Sequence, residues 1–364
     1  MEKNITVLPG DGVGLEIVNE AVKVLEAVAK KYGHKFHCNY HDIGGTAIDQ
    51  YGTNLPKETV KACETCNAVL LGGMGGPKWD HLEGEARADW PVLFLRKHFK
   101  LYANIRPVKL YSALVGRTNF KPEIVRGVDM VIVRENNGGI FFGTPRKRWE
   151  EAGKRKAVDT MYYSEEEIER IVRVGFQLAQ RRRKILHSVD KMNAFCTSKL
   201  WREIATQVSS DYPDVQLEHI LIDACAMRLI QNPKSFDVLV MENLFGDIMS
   251  DEAAMLGGSL GMIGSAAIAG LPEKGKEVFG VFESAHGTAP GRAGQNIINP
   301  IAEINSAALL LRYAFSLEAE ADAIDDAIAK VLNEYRTYDI MEPGKRQVTT
   351  SEMGDLIAHE IKEA

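Results

Sequence analysis

The feature that most constrains the fold is the alternation of short β-branched runs with amphipathic stretches. "ITVL" at 5–8 is followed by a stretch in which Ile17, Ala21, Leu25 and Val28 recur at helical spacing. Further patterns typical of buried strands lie at 68–73, 128–135, 184–190, 217–224, 236–242 and 278–284. This alternation predicts an α/β protein with a largely parallel sheet and polar residues gathered at its strand ends.

Composition narrows the class of protein. The chain has 364 residues, 45% hydrophobic and 26% charged, which is enough for two packed domains. A net charge of −6 argues against nucleic acid as the main partner. No apolar run reaches the roughly 18 residues that span a bilayer, and no leader precedes "MEKNITVLPG". We therefore expect a cytoplasmic protein without a membrane or nucleic-acid partner.

The five cysteines do not suggest a disulfide framework, because their number is odd and only Cys63 and Cys66 are close. A redox pair or half of a zinc site is one interpretation of that spacing. Two cysteines at a helix end is the interpretation we favour, and it fits a reducing compartment.

Two charged stretches predict local structure. Ser164 and Glu167 form a capping-box pattern, so a helix is expected over 164–180, and the basic run 181–184 that follows is expected to be solvated. The segment 144–163 is charged and weakly periodic, which predicts a loop or an arm contacting another subunit.

Asp247 and Asp251 lie four residues apart in "NLFGDIMSD", on one face of a predicted buried helix start. Three explanations are open: a helix cap, a salt bridge, or ligation of a metal. Asp223 ends the apolar run 217–224 and would supply a third carboxylate. Three hard oxygen donors are what Mg²⁺ or Mn²⁺ prefers when substrate and water complete the octahedron.

Basic residues also accompany apolar segments. Arg96, Arg106 and Arg134 each lie at or beside the end of one. A single arginine there is commonly a surface ion pair, whereas three suggest a cluster that binds carboxylates. Lys191, with Asn193 nearby, follows a strand and is either a solvated loop residue or a proton carrier.

Two loops are rich in small residues. "LPGDGVGLEIV" at 8–18 resembles a dinucleotide fingerprint, but its G-x-G-x-G spacing and the absence of a later ribose-binding acid argue against a Rossmann fold. The loop 286–300 would let backbone N–H groups approach a phosphate, and a turn-rich loop without a ligand is the alternative.

Taken in order, "LPGDGVG", "GGPKWD", "NIRPVK", "GGIFFG", "SVDKMN", "NLFGDIMSD" and "HGTAPGRAG" resemble the β-decarboxylating dehydrogenases. That family includes isopropylmalate, isocitrate, homoisocitrate and tartrate dehydrogenases. The likeness covers nearly the whole chain and is strongest to the isopropylmalate branch.

The resemblance implies a two-domain, non-Rossmann α/β fold. The first, cofactor-binding domain would comprise 1–101 plus 256–364. The second, for dimerisation and for metal and substrate binding, would comprise 102–255 and carry the arm 144–163. Active sites would be shared in a homodimer.

The resemblance also assigns roles. Asp247 and Asp251 would bind Mg²⁺ or Mn²⁺ together with Asp223 of the second subunit. The three arginines would hold the carboxylates of a 2-hydroxy dicarboxylic acid, and Lys191 from the second subunit, with Asn193 nearby, would act as the base on its hydroxyl. The positions that match the family's cofactor loop are Glu283, His286, Gly287, Thr288, Ala289 and Asn299.

Two positions depart from the family pattern. Phe141 stands where the family has a tyrosine proton donor, so water or another side chain must protonate the enol, or turnover is slow, or the chain has another task. Gly291 replaces the aspartate that selects NAD and is followed by Arg292, which leaves NAD and NADP both open.

The segment 86–97 contains the residues that would choose the substrate. Trp90, Val92 and Leu93 favour an apolar 3-substituent over a third carboxylate, and Asp89 stands where the isopropylmalate branch has glutamate. The expected activity is metal-dependent oxidative decarboxylation of a 3-alkylmalate with NAD(P), with 3-isopropylmalate as the best single substrate. The alternatives are the same chemistry on tartrate, malate, homoisocitrate or isocitrate, and a non-catalytic regulatory subunit, which Phe141 favours.

Overall fold

Fourteen strands and twelve helices alternate along the chain in the computed structural model, which describes residues 1–273 and 276–363. The strands are β1 (Glu2–Leu8), β2 (Lys35–Tyr40), β3 (Ala68–Leu71), β4 (Ala103–Lys109), β5 (Asp129–Glu135), β6 (Lys147–Glu151), β7 (Lys154–Val158), β8 (Ile185–Asp190), β9 (Gln216–Leu221), β10 (Val238–Met241), β11 (Gly264–Ile268), β12 (Gly280–Ser284), β13 (Tyr335–Arg336) and β14 (Arg346–Gln347). The helices are α1 (Gly14–Tyr32), α2 (Gly44–Tyr51), α3 (Lys57–Thr65), α4 (Trp90–His98), α5 (Pro122–Val125), α6 (Glu165–Gln180), α7 (Cys196–Ser209), α8 (Ile222–Gln231), α9 (Asn243–Ala254), α10 (Ile301–Leu309), α11 (Glu318–Val331) and α12 (Thr350–Glu363).

Ten strands form one mixed sheet in the order β2-β1-β3-β12-β11-β4-β5-β10-β8-β9. Pairing is parallel toward both edges, whereas β11 pairs antiparallel with β12 and β4, and β4 pairs antiparallel with β5. The predicted α/β class is therefore confirmed, and the order differs from that of a Rossmann sheet. The expected domain boundary would divide the sheet between β11 and β4, and it stays a prediction.

Helices cover the sheet because their apolar faces match its buried strands. The α1 residues predicted from spacing, such as Ile17, Ala21 and Leu25, are buried against α10 and α12. Across the described residues, no helix is both long and apolar enough to cross a membrane.

Most strand predictions are confirmed to within a few residues, with one consequential difference. The run 217–224 was expected to be a strand throughout, but β9 ends at Leu221 and Asp223 lies in the first turn of α8. The helix over 164–180 is confirmed, with Ser164 and Glu167 forming both hydrogen bonds of the capping box.

The basic run after that helix is not simply solvated, contrary to expectation. Arg182 Nε donates to Asp237 at 2.8 Å, and the backbone N–H of Arg183 donates to the same fully buried carboxylate. Cys63 and Cys66 are free thiols at the end of α3, as the simpler interpretation predicts. The arm 144–163 contains an antiparallel hairpin of β6 and β7, most of whose side chains are exposed.

Candidate active site

Three arginines converge beside the middle of the sheet. Arg106 on β4 and Arg134 on β5 lie on paired antiparallel strands, and Arg96 comes from α4 rather than from a strand end. We call Arg96, Arg106 and Arg134 the arginine cluster, and all three are buried. The pKa of Arg106 is lowered mainly by burial and next by the nearby charge of Arg96. The pKa of Arg134 is lowered mainly by burial and next by the charge of Arg106. Because guanidinium groups stay charged, three so close together favour binding of an anion.

Neutral side chains hold two of these guanidinium groups in place. Arg106 donates from Nε to Asn104 Oδ1 at 2.8 Å and from Nη1 to Ser250 Oγ at 2.6 Å. Arg134 donates from Nε and Nη2 to Asn243 Oδ1 at 3.0 and 2.7 Å. These partners fix the orientation of the guanidinium groups without neutralising their charge.

Asp247 and Asp251 share one face of α9, as predicted, but that face is not buried. Their side chains are 43% and 59% exposed. The helix-cap explanation fails, because Glu242 caps α9 by accepting from the backbone N–H groups of Leu244 and Phe245. Both aspartates instead face the arginine cluster: Asp247 pairs with Arg134, and Asp251 Oδ1 lies 3.7 Å from Arg106.

Lys191 and Asp223 form a second, separate pair. Lys191 follows β8, and its Nζ donates to Asp223 Oδ1 at 2.6 Å, which lowers the pKa of that carboxyl. Asn193 is exposed in the same loop. Residues 1–273 and 276–363 of a single chain contain no group of three side chains suited to holding a metal. The two accessible carboxylates of α9 fit a hard divalent cation, provided that a third donor comes from elsewhere.

An apolar cleft of about 790 Å³ adjoins the arginine cluster. Trp90, Leu93, Phe141 and Phe142 contribute to its walls, and residues of the arm close one side. Phe141 links the two features, since its ring lies 5.4 Å from the Arg134 guanidinium carbon. An anionic group and an alkyl group of one small molecule therefore have adjacent sites.

Two of the residues expected to choose the substrate have other contacts. Val92 packs against the core cluster that includes Leu95 and Leu101, since the turn of α4 directs it away from Trp90 and Leu93. Asp89 pairs with Arg87 at 2.9 Å. Within this chain, the structure thus brings Trp90 and Leu93 to the cleft, whereas Val92 is partly buried against the core.

Four segments meet around Asp11, and we call them the glycine cradle. They are 9–14, the first turn of α2 at 44–46, 73–76 and 286–289. Asp11 is almost completely buried, and its carboxylate accepts from the backbone N–H groups of Gly45 at 2.8 Å, Thr46 at 2.7 Å and Gly75 at 2.7 Å. Gly12 is required by close approach, since a Cβ there would lie 2.1 Å from the Thr288 carbonyl oxygen. The first glycine loop therefore lies beside the loop 286–300, as its expected role near a ligand requires.

The predicted cofactor loop lies along this cradle. The Thr288 carbonyl accepts from Val13 N at 2.9 Å, and its hydroxyl donates to the Gly75 carbonyl at 3.0 Å. Ala289 adopts a left-handed conformation, and Gly287 and Thr288 line a cavity of about 350 Å³. Glu283, at the end of β12, joins the cradle to the arginine cluster through a 3.0 Å ion pair with Arg96.

His286 offers an unused acceptor at the same place. Its Nδ1 lies 2.9 Å from the Gly287 carbonyl and donates to it, which leaves Nε2 buried without a partner. Burial lowers the pKa of this imidazole, so the ring stays neutral near pH 7. An orphaned acceptor on a backbone cradle fits the amino group of an adenine ring.

Gly291 and Arg292 extend outward from the cradle. Nothing lies within 4 Å of a Cβ built on Gly291, and the Arg292 guanidinium carbon stacks 4.7 Å from the Tyr338 ring. Asn299 is held inside by Asp339, to which its Nδ2 donates at 3.1 Å. The Arg292 guanidinium group therefore lies on the solvent-exposed side of the loop 286–300.

Comparison with known proteins identifies the architecture. The family described as isocitrate/isopropylmalate dehydrogenase matches residues 4–357. The chain belongs to this family. It is 52% identical to the 3-isopropylmalate dehydrogenase of Dehalococcoides mccartyi strain CBDB1, over 99% of this chain and 100% of that protein. It is 51% identical to the 3-isopropylmalate dehydrogenase of Geobacillus kaustophilus, over 97% and 94% of the two chains.

Solved structures agree with this assignment. The isocitrate dehydrogenase of Methylococcus capsulatus superposes with a TM-score of 0.86 at 31% identity, over 99% of both chains. The TT0538 protein of Thermus thermophilus gives 0.85 at 32% identity, over 100% of this chain and 69% of that one. The resemblance on which the expected fold depends is therefore confirmed.

Within this isocitrate/isopropylmalate dehydrogenase fold, three residues that the sequence did not single out hold the site together. They are Asp11, Tyr163 and Tyr338. Asp11 lies inside the glycine loop already noted, so its lone carboxylate was a usable signal. Tyr163 and Tyr338 gave none, because their partners are distant in sequence.

Proposed function

We propose that the protein catalyses the metal-dependent oxidative decarboxylation of 3-isopropylmalate with a nicotinamide cofactor. The observation that carries this proposal is the position of the arginine cluster between two accessible carboxylates and an apolar cleft. Two substrate carboxylates match the guanidinium groups, and one alkyl group matches Trp90, Leu93 and Phe141. The names of the relatives support the same substrate.

The chain's own residues have separate tasks in this reaction. When bound, the divalent cation stabilises negative charge on the substrate oxygens and the nicotinamide accepts a hydride. Arg96, Arg106 and Arg134 orient the carboxylates, and Lys191 receives the hydroxyl proton. Loss of CO₂ then breaks a carbon–carbon bond and leaves an enolate that must be protonated at carbon.

Phe141 cannot supply that proton. We expect Phe141→Tyr to raise kcat if protonation limits the rate, because a phenol would enter the apolar wall beside Arg134. An unchanged kcat, with solvent-isotope effects also unchanged, would show that another donor already serves.

The site is proposed to be completed by a second copy of the chain, which contributes Lys191 and Asp223. Support comes from the separation of this pair from Asp247 and Asp251 within one chain, and from the exposed hairpin of the arm. Mixing inactive Lys191→Ala and Asp247→Asn subunits tests it. Random reassociation creates one intact site in half of the dimers, so about a quarter of wild-type activity should return. A mixture that stays inactive while hybrid dimers are detected would refute the shared site.

The cofactor is proposed to be NAD or NADP, with Arg292 favouring the latter. Arg292 stacked on Tyr338 provides a cation beside the uncrowded Gly291, which suits a ribose 2′-phosphate. Arg292→Ala should raise the KM for NADP more than that for NAD, and Gly291→Asp should reverse the preference. Equal effects on both cofactors would remove Arg292 from this role.

A substrate panel tests the function as a whole. Nicotinamide reduction should be measured with Mn²⁺ and 3-isopropylmalate, 3-ethylmalate, 3-methylmalate, malate, tartrate or isocitrate. The proposal predicts the highest kcat/KM for 3-isopropylmalate, and a shift toward larger alkyl groups in Trp90→Ala. A preference for malate or isocitrate would contradict the assigned role of the apolar cleft.

A non-catalytic regulatory subunit is the second candidate, and Phe141 is the observation that favours it. It predicts Mn²⁺ and substrate binding without turnover on any member of the panel. Calorimetric binding with no nicotinamide reduction would establish it over the enzyme.

A further inference from the structure

A buried cluster lies next to residues 136–141, which we call the Phe141 loop. No step of the proposed reaction uses this cluster. Tyr163 is 5% exposed and lies between two buried carboxyl groups, Glu135 at the end of β5 and Glu242 at the start of α9. Its hydroxyl oxygen is 3.4 Å from Glu135 Oε2 and 3.3 Å from Glu242 Oε2. The same oxygen accepts from the backbone N–H of Asn243 at 2.9 Å.

Each carboxyl group organises a different part of the active site. Glu135 accepts from the backbone N–H groups of Asn137 at 3.0 Å and Gly138 at 2.7 Å, and so shapes the loop that ends in Phe141. Glu242 accepts from Leu244 at 3.0 Å and Phe245 at 2.9 Å, and so fixes the first turn of α9. One hydroxyl therefore joins the Phe141 loop to the helix that carries Asp247 and Asp251.

Packing makes this connection tight. A Cβ on Gly138 would lie 2.7 Å from Tyr163 Cε1, and one on Gly139 would lie 2.5 Å from the Tyr163 hydroxyl. Gly139 also has φ +72, a backbone conformation that side chains rarely adopt. The first two glycines of "GGIFFG" are thus explained by their close contact with Tyr163.

Asn243 carries the connection on to the arginine cluster. Its backbone N–H is held by Tyr163, its Nδ2 donates to the Gly138 carbonyl at 2.9 Å, and its Oδ1 accepts from Arg134. Arg134 in turn pairs with Asp247. An unbroken series of contacts therefore connects Tyr163 to Asp247, the first aspartate of α9, and a displacement of Tyr163 would displace Asp247 as well.

The hydroxyl has one proton for two acceptors, so it can donate to only one of the two carboxyl groups at a time. Burial raises the pKa of both Glu135 and Glu242. Arg170 compensates only Glu135, at 3.2 Å. Removing the hydroxyl would leave Asn243 N without an acceptor and the two carboxyl groups without their common partner.

We propose that Tyr163 is a positioning residue that holds the Phe141 loop and the start of α9 in register, so that Asp247 and Arg134 are aligned for metal and substrate. Tyr163 directly precedes Ser164, the cap of α6, and ends the arm. It therefore anchors the base of the arm to the site as well. The inference rests on the proposed function in taking Asp247 and Asp251 as metal ligands and Arg134 as a substrate-binding residue.

The test compares Tyr163→Phe with Tyr162→Phe, a neighbouring tyrosine that is 61% exposed. Mn²⁺ binding to the intact protein without substrate is measured by calorimetry, together with kcat and KM. Tyr163→Phe should weaken Mn²⁺ binding about 10-fold and raise the KM for the hydroxy acid, as loss of outer-sphere support does, while Tyr162→Phe changes neither. Glu242→Gln should reproduce the shift, because in either orientation its amide NH₂ would face a backbone N–H group from which it cannot accept, that of Leu244 or that of Phe245.

A purely structural role would lower the melting temperature of Tyr163→Phe and leave the Mn²⁺ affinity and KM of the folded fraction unchanged, and that result would overturn the inference. If Tyr163→Phe does not fold, Glu242→Gln decides in the same way. Absence of Mn²⁺ binding in the wild-type protein would instead overturn the proposed function, so the two failures are distinguishable.

Discussion

The glycine cradle and the arginine cluster both have features of ligand sites, but they differ in how their charged groups are paired. In the cradle, one buried carboxylate, Asp11, accepts three backbone hydrogen bonds from two segments, the first turn of α2 and the loop 73–76, and the backbone is ordered by the protein alone. In the arginine cluster, three guanidinium groups crowd together and two aspartates remain half-exposed. The backbone of the first site is held before a ligand arrives, with the buried Nε2 of His286 left for a ligand, whereas the second site has charges that a ligand would balance.

This contrast predicts that substitutions in the two regions separate stability from binding. A change in the cradle should disturb the fold and the cofactor KM together. A change in the arginine cluster or on α9 should abolish activity with a smaller loss of stability, because like charges repel one another within the cluster and the α9 aspartates that pair with it are half-exposed.

The largest expected effect is that of Asp247→Asn. It removes one of the two accessible carboxylates of α9 and leaves Arg134 without its counter-ion. We expect kcat/KM to fall by at least about 100-fold and Mn²⁺ binding to be lost, with a melting temperature lowered by only a few degrees, because Asp247 is half-exposed. Asp326→Asn, an exposed aspartate on α11, is the control. Full activity in Asp247→Asn would remove α9 from the site.

Asp11→Asn should have a smaller effect, divided between stability and binding. In this variant an NH₂ group replaces one carboxylate oxygen and cannot accept a hydrogen bond. It would face the backbone N–H groups of Gly45 and Gly75 in one orientation, and that of Thr46 in the other. A loss of about 1–3 kcal/mol in unfolding free energy is expected, with a KM for the nicotinamide cofactor raised about 10-fold. A raised KM without any loss of unfolding free energy would show that the hydrogen bonds of Asp11 do not hold the cradle together.

Glu303, on α10, has a buried carboxyl group that contacts Ser284, just before the cofactor loop. It is fully buried, accepts from Ser284 N at 2.8 Å through Oε2, and has no partner for Oε1. Burial raises its pKa from an ordinary 4.5 to about 8. Between those values the folded protein binds a proton that the unfolded chain releases, so stability should fall as pH rises from about 4.5 to about 8.

Glu303→Gln should abolish that part of the pH dependence and raise the melting temperature at pH 8 relative to wild type. The expected difference is a few degrees, measured by thermal unfolding at pH 6, 7, 8 and 9. Glu203→Gln, an exposed position on α7, is the control. Parallel curves for wild type and Glu303→Gln would show that Glu303 stays ionised in the fold.

Much of this organisation could be predicted from the sequence, because its signals are local. The capping box at Ser164, the helical spacing of Ile17 to Val28 and the pairing of Asp247 with Asp251 on one face depend only on neighbours along the chain. The errors arose where tertiary structure decides. Three differences depend on tertiary packing that periodicity does not encode: the exposure of Asp247 and Asp251, the direction of Val92, and the end of β9 before Asp223.

The residues that were missed have the same explanation. Tyr163 acts through Glu135 and Glu242, which are 28 and 79 positions away. Tyr338 meets Arg292 only after the chain has passed through α10 and α11. Long-range contacts of this kind become visible only when the fold is known.

The most direct test of the account is the stoichiometry of the reaction with 3-isopropylmalate and Mn²⁺, with nicotinamide reduction and CO₂ release measured together. We predict one CO₂ for each nicotinamide reduced, and a kcat/KM well above those for malate and isocitrate. Nicotinamide reduction without CO₂, or binding of Mn²⁺ and 3-isopropylmalate with neither product, would contradict it.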